Sequence, residues 1–460
     1  MYHSIKLLQS SRNIKKVCSP AQLLKIMIIV SLLVTLAAVF RFGRVTLPPP
    51  RSPPSLPHKR LVVVNKRNAS SCDGEHAPGA LEALRLGVTQ YCNSLVRCVH
   101  RRLDFAESFC EVESLVVDLR RFAQYLDQPL AQRGDEPDAR DAYYVFGDLP
   151  QGTFSVQEAC ALNASLDLFH KGSSHDLRAG WGIGPVLGPN EDCAFVEEPT
   201  VFLSKLYGKD NMWHASEDLL HTFENSELFG WRTGQGARLL VLDVPRGVTA
   251  EDQAQPYYQV YKAVFGPRYG YSAAWQFFES LGNKSCVEFK KTYWQPHGGS
   301  SAFQRSVATP SNCTNSPLIL GMVDTILSTV LSAPMPVDVG RVTVVVRNVS
   351  TVRSVVSPAW SSFENAVRSK PRVEFVDFAA MGIVEQIKLA YTSHTLIGLH
   401  GAALTHGLWM QPSSRLVEVD LGFRCYCYRN VASWVGIEYR LLAEDQLAAL
   451  NLSSHALGFP

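Results

Sequence analysis

Thr395–Asp420, reading TLIGLHGAALTHGLWMQPSSRLVEVD, decides how this chain folds. Thr395–Leu399 is a short apolar run suited to a strand buried on both faces, as in a parallel sheet. The turn His400-Gly401-Ala402-Ala403 follows. Leu404–Met410 then reads as the start of a helix, and Arg415–Val419 as the next strand, closed by Glu418 and Asp420. Open α/β sheets bind ligands at the carboxyl ends of their strands. There the small residues Gly398, Gly401, Ala402 and Ala403 let a ligand approach the backbone. A helix beginning at this point aims N–H groups and the positive end of its dipole at an anion. The turn carries no Asp or Glu, His400 and His406 offer imidazole donors, and Glu418 is set to accept from a ribose hydroxyl. This is nucleotide-site spacing, although a Gly-rich turn used only for tight packing has the same spacing.

Working outward, Arg341–Val346 and Val373–Phe378 read as strands, and Met322–Ser332 and Gly382–Tyr391 as helices. Further back, Phe195–Leu206 is β-rich, Asn211–Phe223 reads as a helix with Asn211 near its cap, Arg238–Val244 as a buried strand, Tyr257–Phe265 as a helix and Cys286–Tyr293 as a strand. Alternation of this kind predicts parallel α/β sheets. Cys98–Leu126 shows helical periodicity in places, Asp135–Asp141 reads as an acidic loop, and residues 72–192 carry no assigned chemistry.

A chain of 460 residues with 46% hydrophobic residues can bury a sizeable core. Its 44 basic and 42 acidic residues leave no nucleic-acid footprint. Leu23–Phe40 is the membrane candidate, with Lys6, Arg12, Lys15 and Lys16 before it favouring a cytosolic amino terminus. A cleaved signal peptide competes, but no clean cleavage site precedes Arg41. Arg44–Arg60, RVTLPPPRSPPSLPHKR, reads as an extended stem. Sequons at Asn68, Asn163, Asn283, Asn312, Asn348 and Asn451 all follow the apolar segment. Of the 11 cysteines only Cys18 precedes it, and the ten that remain suit disulfides better than zinc. The expected layout is a cytoplasmic tail (1–22), a type II signal-anchor (23–40), a Pro-rich stem (41–71), an acceptor-side α/β domain (72–320) and a nucleotide-sugar-binding α/β domain (321–460).

GLHGAALTH followed by VEV resembles the signature of glycosyltransferase family 61, which holds transferases of xylose, arabinose and N-acetylglucosamine. Cys193-Ala-Phe-Val-Glu-Glu-Pro-Thr200, Asn211-Met-Trp-His214 with Asp218, the Cys286 strand and Tyr428-Arg-Asn-Val…Gly436-Ile-Glu-Tyr439 resemble further family segments, so that the likeness spans about Cys193 to Leu442. The resemblance implies an α/β, GT-B-like architecture of two facing Rossmann-type domains. It also implies transfer of GlcNAc or xylose, with inversion, from a UDP-sugar donor to a glycan or glycoprotein hydroxyl. Donor contacts are then expected from Arg347, Gly398, His400, Gly401, Ala402, Leu404, Thr405 and Glu418, with Arg353 a second basic contact. His214 and Asp218, at i and i+4 on one helix face, make a candidate base and its orienter. They also suit a buried polar pair, and Glu197 and Glu198 are alternative bases. No D-x-D triplet occurs, so no cofactor and no essential metal is expected. A Golgi membrane location is expected, with the endoplasmic reticulum as the alternative. The rival class is a lumenal protein of the same fold that binds nucleotide or glycan without turnover.

Overall fold

The structure, a computed structural model, describes residues 72–101, 107–127, 131–133, 143–145, 150, 152–156, 192–203, 211–233, 236–242, 244, 246–249, 257–295, 301–346, 358–420, 422, 425–443 and 446–447. The chain divides into two compact units, residues 1–63 and 64–460, and every described residue belongs to the second. The expected tail, anchor and stem therefore lie outside the described residues. So do Arg347, Arg353, the acidic loop and the sequons at Asn68, Asn163, Asn348 and Asn451. No helix among the described residues is long and apolar enough to cross a membrane.

Sixteen strands are described. They are β1 (Val88–Tyr91), β2 (Val96–Arg101), β3 (Glu107–Asp118), β4 (Ala131–Arg133), β5 (Tyr143–Val145), β6 (Phe154–Val156), β7 (Cys193–Val196), β8 (Thr200–Leu203), β9 (Arg238–Val241), β10 (Tyr271–Ala273), β11 (Cys286–Trp294), β12 (Asp338–Val345), β13 (Val373–Val376), β14 (Ser393–Leu399), β15 (Arg415–Asp420) and β16 (Glu438–Ala443). The carboxy-terminal sheet has the order β13-β12-β14-β15-β16, parallel at every pairing. The amino-terminal sheet is nine-stranded, with β1-β2-β3-β11-β8-β9-β10 as its path and β6 and β7 alongside. Strands from Cys193 onward pair in parallel with one another. The β1, β2, β3 and β6 wing is antiparallel, as is its junction with β11. This sheet is thus mixed, which corrects the expectation of two Rossmann-type parallel domains. It also corrects the helical reading of Cys98–Leu126, where only Leu119–Leu126 is helix.

Burial on both faces explains the apolar runs. Along β14 Leu396 joins the core between the two sheets while Ile397 joins a second core behind its own sheet; Leu416 and Val417 of β15 divide in the same way. In β9, Leu239 and Val241 face the shared core, and Leu240 faces a third one. A period-2 element with apolar partners on both sides reads as a continuous hydrophobic run. Between the sheets lie the helices Met212–Phe229, Pro317–Val330, Ile383–Thr392 and Cys427–Val435, all of which contribute to the shared core. The expected division at residue 321 falls inside the Pro317–Val330 helix, whose Ser316 cap and Pro317 set its true start.

Disulfides join Cys98 to Cys110 and Cys193 to Cys286, in both cases across directly paired strands. Cys72–Cys313 ties the first described residue to the segment between the sheets, Cys425 pairs with Cys427, and Cys92 is also bonded.

Candidate active site between the two sheets

The Met212–Phe229 helix brings the first site residue. Its cap is as expected, with the Asn211 side chain accepting from the Trp213 N–H at 3.0 Å. The helix runs six residues beyond the expected end at Phe223 and stops at Gly230, left-handed at φ 70°. On its first turn His214 Nδ1 meets Glu217 Oε2 at 2.8 Å. The imidazole is 22% exposed and the carboxyl fully buried, so the ring faces outward with the acid behind it. Burial pushes the Glu217 pKa up, and contact with His214 pulls it back.

The expected partner of this ring was Asp218. The structure gives the Nδ1 contact to Glu217 instead. Positions i+3 and i+4 both lie over the same turn, and Glu217 extends to the ring. Asp218 lies one position further round the helix. Burial first, then the Asp218 charge, raises the Tyr261 hydroxyl, which places that carboxylate against the inter-sheet core. Glu197 is exposed and pairs with Lys290 at 3.0 Å, while Glu198 faces Arg238 at 3.3 Å.

The second site residue comes from the turn after β14. His400 N–H donates to Val419 O at 3.0 Å, extending the β14–β15 ladder by one rung and fixing where the side chain leaves the sheet. Its Nδ1 bonds Glu418 Oε1. The other carboxylate oxygen, Oε2, accepts from the Tyr439 hydroxyl at 2.7 Å. Burial and the adjacent Glu418 charge raise the Tyr439 pKa, keeping this hydroxyl a donor. With 3% of its side chain exposed, Glu418 holds one oxygen on His400 and the other on Tyr439.

Gly401 is followed by a 3-10 helix, Ala402–Trp409, tighter than the expected α-helix. Packing is close on both sides of the turn. A Cβ on Gly398 would stand 3.0 Å from Leu404 Cδ2, and one on Gly407 would stand 2.9 Å from Leu416 Cδ2. Gly398, Leu404 and Thr405 are buried and form the seat of the turn. Thr405 Oγ1 has no hydrogen-bond partner among the described residues. His406, expected as a phosphate donor, is fully buried and stacks on Phe378 at 4.1 Å. Its nitrogens face Ala403 O at 2.8 Å and Gln386 Oε1 at 2.7 Å. Two oxygens suit the protonated ring, but burial outweighs the backbone bond and pushes the pKa down to about 4.

One cleft, of about 240 Å³, joins the two histidines. Asn211, Trp213 and His214 line it from the first sheet's helix, Gln304 and Val307 from the inter-sheet segment, and His400, Gly401, Ala402, Cys425, Cys427 and Tyr428 from the second sheet's side. Tyr428 forms the wall between them, 5.8 Å from the Trp213 ring and 5.2 Å from the His400 ring. Of the expected donor-site residues, His400, Gly401 and Ala402 reach this cleft. Glu217, Tyr428 and Tyr439 were missed as site residues, although His214+3 spacing and the Tyr428…Tyr439 resemblance pointed to them. Among the described residues no group of three or more His, Cys, Asp or Glu is arranged to hold a metal ion. Asn283 and Asn312 are exposed.

An α/β protein with two sheets and a cleft between them, lined by one carboxylate-backed imidazole from each side, has the form of a two-substrate group-transfer enzyme. The family model described as Glycosyltransferase 61 matches residues 212–417, a little under half of the chain, and supports a glycosyltransferase. The match begins at the Met212 helix and includes His214, Glu217 and His400; it stops one residue before Glu418. No curated protein matches the chain.

Proposed function

We propose that the chain transfers GlcNAc or xylose from a UDP-sugar to a hydroxyl of a glycan or glycoprotein, with inversion and without a metal. The two sheets with their inter-sheet cleft support a GT-B-like reading, with the nucleotide on the β12–β16 side. The observation that carries the proposal is the pair His214–Glu217 and His400–Glu418 lining one cleft from opposite sides.

In the proposed step the acceptor oxygen forms a bond to the anomeric carbon as the bond from that carbon to the UDP oxygen breaks. The electron pair leaves with UDP. The hydroxyl proton passes to Nε2 of His214, and Glu217 on Nδ1 stabilises the imidazolium that results. His400 meets the charge developing on the diphosphate, held to its task by Glu418 and Tyr439. Arg347, one residue past the described end of the β12 segment, is the expected additional phosphate contact. The amino-terminal apolar segment and the sequons beyond it support a type II membrane protein with its body in the Golgi lumen.

Release of UDP from UDP-GlcNAc, UDP-xylose, UDP-arabinose and UDP-GalNAc is the direct test. One of the first two should be consumed with transfer, and His214→Ala should lower kcat by about 10²–10⁴ while leaving UDP-induced thermal stabilisation intact. Near-normal turnover in that variant would remove His214 as the base. Stabilisation by UDP with no turnover of any donor would favour a binding protein.

A further inference from the structure

At the rim of the cleft stands an aromatic ring that the catalytic reading leaves unused. Tyr426 is 40% exposed, among the few large hydrophobic residues on the described surface, and the residues on either side of it, Cys425 and Cys427, both line the cleft. The chain around it is held from several directions. Cys425 and Cys427 are bridged, Tyr426 N–H donates to Val307 O at 2.9 Å, and Tyr426 O accepts from Asn430 N–H at 2.9 Å. The Asn430 side chain donates to Ser306 O at 2.7 Å and Thr309 O at 2.9 Å and accepts from Ser311 N–H at 2.7 Å. The segment is thus tied to residues 306–311, the cleft wall between the sheets. Arg429 lies 5.9 Å over the ring, with hydroxyl-seeking N–H groups beside an apolar face.

The geometry points to Tyr426 as the stacking platform for a sugar ring of the acceptor, one position outward from the reacting hydroxyl. An exposed aromatic face on a fixed backbone loses little entropy when a flat apolar ligand face covers it. Pyranose rings present such a face of C–H groups with hydroxyls at the edge, and Arg429 is placed to donate to those hydroxyls. Tyr428, two residues on, walls the cleft at His400 and Trp213, so the outward ring at 426 meets the part of the ligand that extends beyond the reacting end. The anchorage to Val307, itself a residue of the cleft lining, ties the platform to the wall between the sheets. This assignment rests on the transfer reading and names which residue selects the acceptor.

The test uses the full-length chain in detergent with methyl α-mannoside, methyl β-xyloside and methyl β-N-acetylglucosaminide as probes, read by saturation-transfer NMR and titration, with UDP stabilisation measured in parallel. In the wild type at least one glycoside binds in the presence of UDP. Tyr426→Ala weakens it about tenfold, Tyr426→Phe retains it, and UDP stabilises all three proteins equally. If UDP fails to stabilise even the wild type, the transfer reading falls, and this one with it. If UDP stabilises every protein and no glycoside depends on Tyr426, the platform is wrong while transfer stands. Loss of UDP binding in Tyr426→Ala would assign the ring to the uracil and overturn the acceptor role.

Discussion

Glu217 shows how one buried atom ties function to stability. Its carboxyl is fully buried and its pKa raised by desolvation. A raised native value means that the folded state holds the proton more tightly than the unfolded one. That advantage is full below the unfolded value of 4.5 and is lost as pH rises through the native value. Glutamine is neutral throughout, so Glu217→Gln should melt above the wild type at pH 8, with the difference closing by pH 4. The same change should lower kcat by about tenfold or more, because an amide stabilises the imidazolium less well. Equal melting temperatures across that range would show that the carboxylate is not strained by burial. His406 has the opposite sign. Its native pKa near 4 lies below the unfolded value of 6.5, so its contribution is intact above 6.5 and lost as pH falls toward 4, at most about 3 kcal/mol. In His406→Gln the acid side of a stability-against-pH curve should flatten.

At the scale of elements, the turn after β14 depends on two missing methyl groups. Gly398→Ala places a Cβ 3.0 Å from Leu404 Cδ2, and the turn must move outward to accept it. A loss of about 1–3 kcal/mol in urea unfolding is expected, with weaker UDP stabilisation because His400 moves with the turn. Thr405→Val replaces a buried hydroxyl that has no partner among the described residues. It should leave stability unchanged or improve it by about 1 kcal/mol.

These elements also show what the sequence alone could carry. In the second sheet four of the five strands were legible, β14 most directly because both its faces are buried and Thr395–Leu399 is an unbroken apolar run. His400 was legible as the residue at its end; β16, EYRLLA, is largely exposed and was not read as a strand. β3 was not, since ESFCEVESLVVD places polar and apolar residues at spacings that also fit helical turns; its pairing with β2 and β11 decides the matter. Glu217 lost to Asp218 because i+3 and i+4 are equivalent until a rotamer is known. The clasp of Tyr439 on Glu418 joins residues 21 apart, through a strand pairing that no local pattern encodes.

Across the whole molecule, the Cys72–Cys313 bridge closes a span of 241 residues. The Cys193–Cys286 link lies within that loop and already shortens it in the unfolded chain. Replacing both Cys72 and Cys313 with Ser should therefore lower stability by about 2–4 kcal/mol, read as an earlier melting transition. Chelation should act differently. Excess EDTA is expected to leave UDP release unchanged, and complete loss restored by Mn²⁺ would require carboxylate ligands the proposal does not use.

The hydrophobic core between the sheets runs unbroken from Val201 through Trp213, Phe303 and Leu404 to Ile437. Prising the sheets apart like a hinged jaw would expose that apolar seam to water, and Trp213 against Phe303 and Tyr428 stands where such a crack would begin. That exposure of apolar surface would oppose a wide opening of the sheets.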